Sequence, residues 1–103
     1  MSVIDFESLG NGRFLISGEL GFESAEYALE ESERLFEPFQ DLDLDLGPIT
    51  SADSAGLAVL IEWMSRARQD HKDIRFRNLP AQLYSLAQIS EVEGLLPLAE
   101  KAA

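Results

Sequence analysis

Six consecutive residues constrain this chain more than any others. Asp41-Leu42-Asp43-Leu44-Asp45-Leu46 alternates with a period of two, and a β-strand is the only regular element that puts three such leucines on one face. The strand therefore has a buried side and a wet side, and the sheet it belongs to keeps one face relatively open. With 103 residues, 46% hydrophobic and 26% charged, the chain has the size and balance of one globular domain, so residues 1–103 are expected to fold around a single core.

The flanking segments supply the rest of the architecture. Residues 3–9 and 13–18 are short β-type stretches separated by Gly10-Asn11-Gly12, a tight-turn signal because both residue types tolerate positive φ, and they read as a hairpin. Residues 22–37 carry apolar side chains at Phe22, Ala25, Leu29, Leu35 and Phe36 between glutamates, an amphipathic helix ended by Pro38. Phe22, Phe36 and Phe39 are expected in the core. After the alternating strand, residues 47–52 are expected as a loop, followed by a helix from Asp53-Ser54 to about Asp70. Residues 74–77 form a short strand, and Asn78-Leu79-Pro80 opens a further helix with the asparagine placed as its cap. Leu83, Leu86 and Ala87 form its inner stripe. Residues 100–103 are expected to fray. The order ββαβαβα makes an α/β fold: a small mixed β-sheet of about four strands covered by three to four α-helices.

Charge narrows the choice of partners. The formal net charge is −11, and residues 1–52 hold two cations (Arg13, Arg34) against twelve acids, whereas residues 53–103 hold six against seven. A surface of that kind repels phosphate backbones and anionic headgroups, so neither nucleic acid nor direct membrane binding is expected. The chain has no cysteine, in keeping with a reducing compartment. Its start lacks the basic and apolar stretches of a secretion signal, and no apolar run is long enough to span a bilayer. The expectation is a cytoplasmic protein that reaches a membrane only through a partner.

Groups with reactive chemistry are few. His71, the single histidine, falls at the end of the second helix, where it reads as a solvated turn residue. Ser54 opens the same helix, roughly 25 Å away at 1.5 Å per residue, so the two cannot form a catalytic pair. Asp41, Asp43 and Asp45 have the odd spacing of a calcium loop without its glycine and terminal glutamate, and no metal or other cofactor is expected. Gly10-Asn11-Gly12 has neither the lysine nor the following helix of a phosphate loop. No catalytic residue is assigned.

The segment 49–57 is the exception. A buried strand passes through a loop rich in capping residues into a helix whose first turn is small, Ser54-Ala55-Gly56. The unpaired N–H groups and dipole of that turn favour a hydroxyl that accepts or loses a phosphate, although Asp53 or Ser54 also serves there simply as a helix cap. At 100° per residue, Leu57, Leu60, Ile61, Met64 and Ala67 converge as the core stripe, while Val59 and Trp63 fall outside it, near Ala55, Glu62 and Arg66. Trp63 is then either the centre of an exposed protein-binding patch or a cover for the sheet edge or the third helix.

These are also the residues at which the sequence resembles a known family. Leu42-Asp43-Leu44-Asp45-Leu46, a short loop and Asp53-Ser54-Ala55-Gly56-Leu57-Ala58-Val59-Leu60 resemble the signature of STAS domains, over almost the whole chain. Phe76-Arg77-Asn78-Leu79-Pro80-Ala81-Gln82-Leu83 and Val92-Glu93-Gly94-Leu95-Leu96-Pro97 look more like the MlaB-type subunit of the Mla phospholipid transporter than like the anti-sigma-factor antagonists. The resemblance implies a STAS-like fold and a non-catalytic binding module. It places a critical hydroxyl at Ser54, a phospho-acceptor in the antagonists, and a partner-binding surface on Asp53, Ser54, Ala55, Val59, Glu62, Trp63 and Arg66. The implied partner is the cytoplasmic ATPase of an ABC transporter that maintains outer-membrane lipid asymmetry or, in antagonists, an anti-sigma kinase. Phosphorylation at Ser54 would add about two negative charges and repel an acidic or apolar partner surface. Two departures stand out: His71 occupies a helix end where many members have glycine, and Pro48 stiffens a loop that is often more polar.

Overall fold

The computed structural model describes residues 3–99; the expected fraying of residues 100–103 lies outside them. The first hairpin forms as expected. β1 (Ile4–Gly10) pairs antiparallel with β2 (Arg13–Leu20), and Gly10, Asn11 and Gly12 all adopt positive φ between them. Gly12 is also held to the size of a hydrogen, because a Cβ there would stand 2.0 Å from the Asp41 carbonyl oxygen.

Helix α1 (Ala25–Phe36) returns the chain to the start of β3 (Asp41–Asp45), which runs parallel to β2 and to β5 (Asp73–Arg77). Leu42, Leu44 and Leu46 are buried as their alternation requires. Asp43 and Asp45 point to the other face, in register with Arg75 and Arg77. There Arg77 donates two hydrogen bonds to the Asp43 carboxylate, the shorter 2.8 Å, and Asp45 Oδ1 accepts from Gly47 N and Asn78 Nδ2. Two of the three aspartates, Asp43 and Asp45, are thus used within the sheet and its turns.

Residues 47–52 are more ordered than a plain loop. Ile49–Ala52 form a further strand, β4, parallel to β2. β3 pairs with residues 13–15 of β2 and β4 with residues 18–20, so the two share one edge of β2 in succession, interrupted at Gly47-Pro48. Four residues with only Ile49 buried carry too little periodicity to signal a strand. The sheet order is β1-β2-β3-β5, with β4 against β2.

α2 (Ser54–Gln69) and α3 (Ala81–Ile89) complete a cover of three α-helices, with one 3-10 turn at Glu93–Leu95. α3 opens from Pro80, not from Asn78, whose φ of 56° removes it from the capping position. Beyond it, Phe76 N donates to Pro97 O and Ala99 N donates to Phe76 O, both at 2.9 Å, so the tail lies along the outer edge of β5. His71 follows α2 in the left-handed region, at φ 56°, a conformation that is strained for a residue standing where many members have glycine.

The core departs from the expected stripe on α2. Val59 and Trp63 are buried, Trp63 at 2% exposure, whereas Ile61 is 42% exposed. Trp63 packs edge-on against Phe6 and Phe36, and its Nε1 donates to the buried Ser32 Oγ at 2.7 Å. α2 contacts both α1 and α3, so its buried arc is centred between them and rotated toward α1 relative to the stripe 57-60-61-64-67. Phe36 and Phe39 join the core as expected, but Phe22 does not.

Candidate functional site

The site is built where β4 becomes α2. Only Asp53 separates the two elements, and its extended backbone (φ −138°) makes it the N-cap. Asp53 Oδ1 accepts from Ala55 N at 2.9 Å and Gly56 N at 3.2 Å, while Oδ2 accepts from Phe22 N at 3.1 Å. The Phe22 amide, followed by burial acting in the opposite sense and then the Gly56 and Ala55 amides, holds this carboxyl below the usual aspartate range. Gly56 is fixed by packing: a Cβ at that position would stand 2.1 Å from the Leu20 carbonyl oxygen.

Ser54 is the first residue of α2 and is exposed. Among the described residues its hydroxyl has no hydrogen-bond partner. It lines a shallow depression of about 550 Å³ with Asp53, Ala81, Gln82, Ser85 and Leu86. Gln82 Oε1 accepts from Ala52 N at 3.0 Å, which docks the start of α3 beside the start of α2. On the other side of Asp53 a second depression, about 310 Å³, is rimmed by Gly21, Phe22, Glu23 and Ser51.

The expected contact residues divide. Asp53, Ser54 and the half-buried Ala55 lie together at the helix start. Glu62 is exposed one face away and pairs with Arg66 at 3.1 Å. Arg66 also donates to Leu29 O at 3.0 Å, so its guanidinium braces α1. Val59 and Trp63 are core residues and are withdrawn from the contact surface. The solvent-facing line of α2 is instead Ser54, Ala58, Ile61 and Ser65, all exposed and spaced three or four residues apart.

Phe22 was missed as a surface residue because the helix begins later than periodicity indicated. Ser24 accepts from Gly21 N at 3.0 Å and donates to Glu19 O at 2.7 Å, folding residues 21–24 into a turn that leaves Phe22 outside α1. A serine placed before Ala25 was the available signal. Gln82 and Ser85 carried no signal of their own, since only the docking of α3 brings them to Ser54.

This arrangement presents a hydroxyl but does not activate it. The single histidine lies past the far end of the 16-residue α2, and the adjacent carboxylate is a weak base already accepting three N–H groups. Among the described residues, no hydrogen bond ties the Ser54 hydroxyl to a general base. No helix among the described residues is long and apolar enough to cross a membrane.

Comparison with known proteins accords with this geometry. A family model described as Mlab, STAS domain, matches residues 7–97. No curated protein is a significant match. Among solved structures, the Bacillus anti-sigma factor antagonist SpoIIAA in its unphosphorylated form superposes with a TM-score of 0.69 at 16% identity, covering 95% of this chain and 89% of that one. A putative anti-sigma factor antagonist from Thermotoga maritima gives 0.76 at 12%, covering 95% and 86%. The murine anion transporter Slc26a9 gives 0.62 at 21%, covering 82% of this chain but 14% of the transporter. At such identities the structures share a fold, an open sheet with helices on one side, whereas the family model spans nearly the entire sequence. The chain belongs to the STAS domain family, within the group described as Mlab.

Proposed function

We propose that this protein is a non-catalytic binding subunit that docks, through the start of α2, on the cytoplasmic ATPase of a phospholipid ABC transporter maintaining outer-membrane lipid asymmetry. The observation that carries the reading is the exposed Ser54 hydroxyl in the first turn of α2, between two depressions, in a chain whose family model bears the Mlab description. The protein resides in the cytoplasm and reaches the inner membrane only through this partner, because a net charge of −11 disfavours direct contact with anionic lipid.

α3 (Ala81–Ile89) carries no charged residue, so the partner surface that covers Ser54 on that side is uncharged. A charge introduced at Ser54 is then desolvated without compensation on binding. Co-purification with the ATPase is expected for the wild type and is lost in Ser54→Asp and in Ala58→Arg, neither of which disturbs the core. If both variants bind as the wild type does, this face is not the docking surface.

A second reading is favoured by the same unpartnered hydroxyl: an anti-sigma-factor antagonist switched by phosphorylation at Ser54. Incubation with an anti-sigma kinase and ATP is expected to add one phosphate at Ser54 under that reading. Failure to incorporate phosphate counts against it and leaves the transporter reading intact.

A further inference from the structure

Phe22 is 83% exposed, whereas the other five phenylalanines are buried or half-buried. An aromatic ring is among the side chains that gain most from being covered. The backbone that carries this ring is nevertheless held in place. The Phe22 amide is held by Asp53 Oδ2, and the other oxygen of the same carboxylate holds Ala55 and Gly56 at the start of α2. The carboxylate sits against the bare Cα of Gly21, where a Cβ would stand 2.6 Å from Oδ2 and 2.9 Å from Oδ1. One side chain thus latches the loop bearing Phe22 to the helix turn bearing Ser54.

The ring stands in an acidic surround. The depression that Phe22 rims is lined by three carboxylates, those of Glu19, Glu23 and Asp53, and its lining holds no cation. Glu19 and Glu23 are exposed beside the depression that Phe22 rims. An apolar side chain ringed by carboxylates fits a socket that is apolar within and basic at its edge.

We infer that Phe22 is the anchor by which this face engages its protein partner, that the receiving socket is apolar with a rim of lysines or arginines, and that Asp53 is the positioning residue tying the anchor to the state of Ser54. The inference rests on the docking reading above and specifies its chemistry. A negative group on Ser54 competes for the Ala55 and Gly56 N–H groups and repels Asp53, so the carboxylate lets go of the Phe22 amide. Phosphorylation or its mimic therefore both places a charge in the interface and frees the loop that aims the anchor.

The latch is tested on the protein alone. In amide-resolved hydrogen exchange, the Phe22 N–H is expected to be protected in the wild type and to exchange at least about tenfold faster in Ser54→Asp and in Gly21→Ala. Unchanged exchange in Ser54→Asp overturns the coupling. Because the Asp53 carboxyl is held low by these bonds, the protection is present at neutral pH and lost only as pH falls through a folded-state value that lies below the ordinary aspartate range.

The anchor is tested by calorimetric titration against the ATPase and, in parallel, an anti-sigma kinase. Phe22→Ala is expected to weaken binding roughly thirtyfold, with Phe22→Leu recovering much of it and thermal melts of both variants matching the wild type. Binding is expected to weaken as salt rises, and indifference to salt overturns the basic rim. Wild-type affinity in Phe22→Ala overturns the anchor while the docking reading stands. A wild type that binds neither protein removes the docking reading and the anchor with it. Phe22-dependent binding to the kinase alone keeps the anchor and replaces the partner.

Discussion

The first turn of α2 and its middle both reach across to the preceding part of the chain through side-chain hydrogen bonds, one in water and the other in the core. At the first turn, Asp53 holds the Phe22 amide at the surface, with the exposed Ser54 beside it. Two turns on, Trp63 donates to Ser32 between α1 and α2, sealed by Phe6 and Phe36. Removing a partner from the buried bond leaves a polar group with nothing to replace it, whereas water takes over at the exposed one. The helix is therefore pinned by its middle, and its start is free to carry a recognition surface whose residues change without loss of the fold.

Substitutions that separate the two regions sharpen or break this contrast. Trp63→Ala opens a cavity in the aromatic cluster and is expected to cost about 3–5 kcal/mol in chemical denaturation; a loss below about 1 kcal/mol would mean that the cluster does not pin α2. Ser32→Ala leaves the Trp63 N–H buried without an acceptor and is expected to cost about 1–3 kcal/mol by the same measurement. At the far end, His71→Gly relieves a left-handed non-glycine residue and is expected to raise the melting temperature, by about 1 kcal/mol of stability. The smallest effect on stability is expected at Ser54→Asp, within about 0.5 kcal/mol of the wild type, because a carboxylate at a helix start is well tolerated. Under the proposed docking, that variant is nonetheless expected to lose partner binding. Were it to unfold the protein, stability and recognition would not be separable along α2.

Much of the fold was legible because its signals are local and periodic. The alternating leucines, the Gly10-Asn11-Gly12 turn and the cap of α2 each act over a few residues; the first two stand where the sequence placed them, and the cap, expected at Asp53 or Ser54, is Asp53. β4 was not legible, because its pairing to β2 is long-range and only Ile49 among its four residues is buried. The position of Ser54 could be read, since helix starts announce themselves by capping chemistry. The surface around it could not. A helical wheel shows which residues share a side of α2 but not that α1 and α3 flank it, so Val59 and Trp63 were placed outside and Ile61 inside. Phe22 was counted as core for a related reason: its fate depends on where α1 begins, a boundary set by the Ser24 turn rather than by periodicity.

The tail along β5 has a consequence for how copies of this protein meet. With Pro97 and Ala99 bonded to Phe76, that margin of the sheet is partly closed to a newcomer, which leaves β1, among the described residues, as the long strand with an unpaired side. Asp5 and Glu7 lie exposed on β1, and two copies joined antiparallel there would bring carboxylates together. Growth of copies into ribbons along that edge is thereby disfavoured.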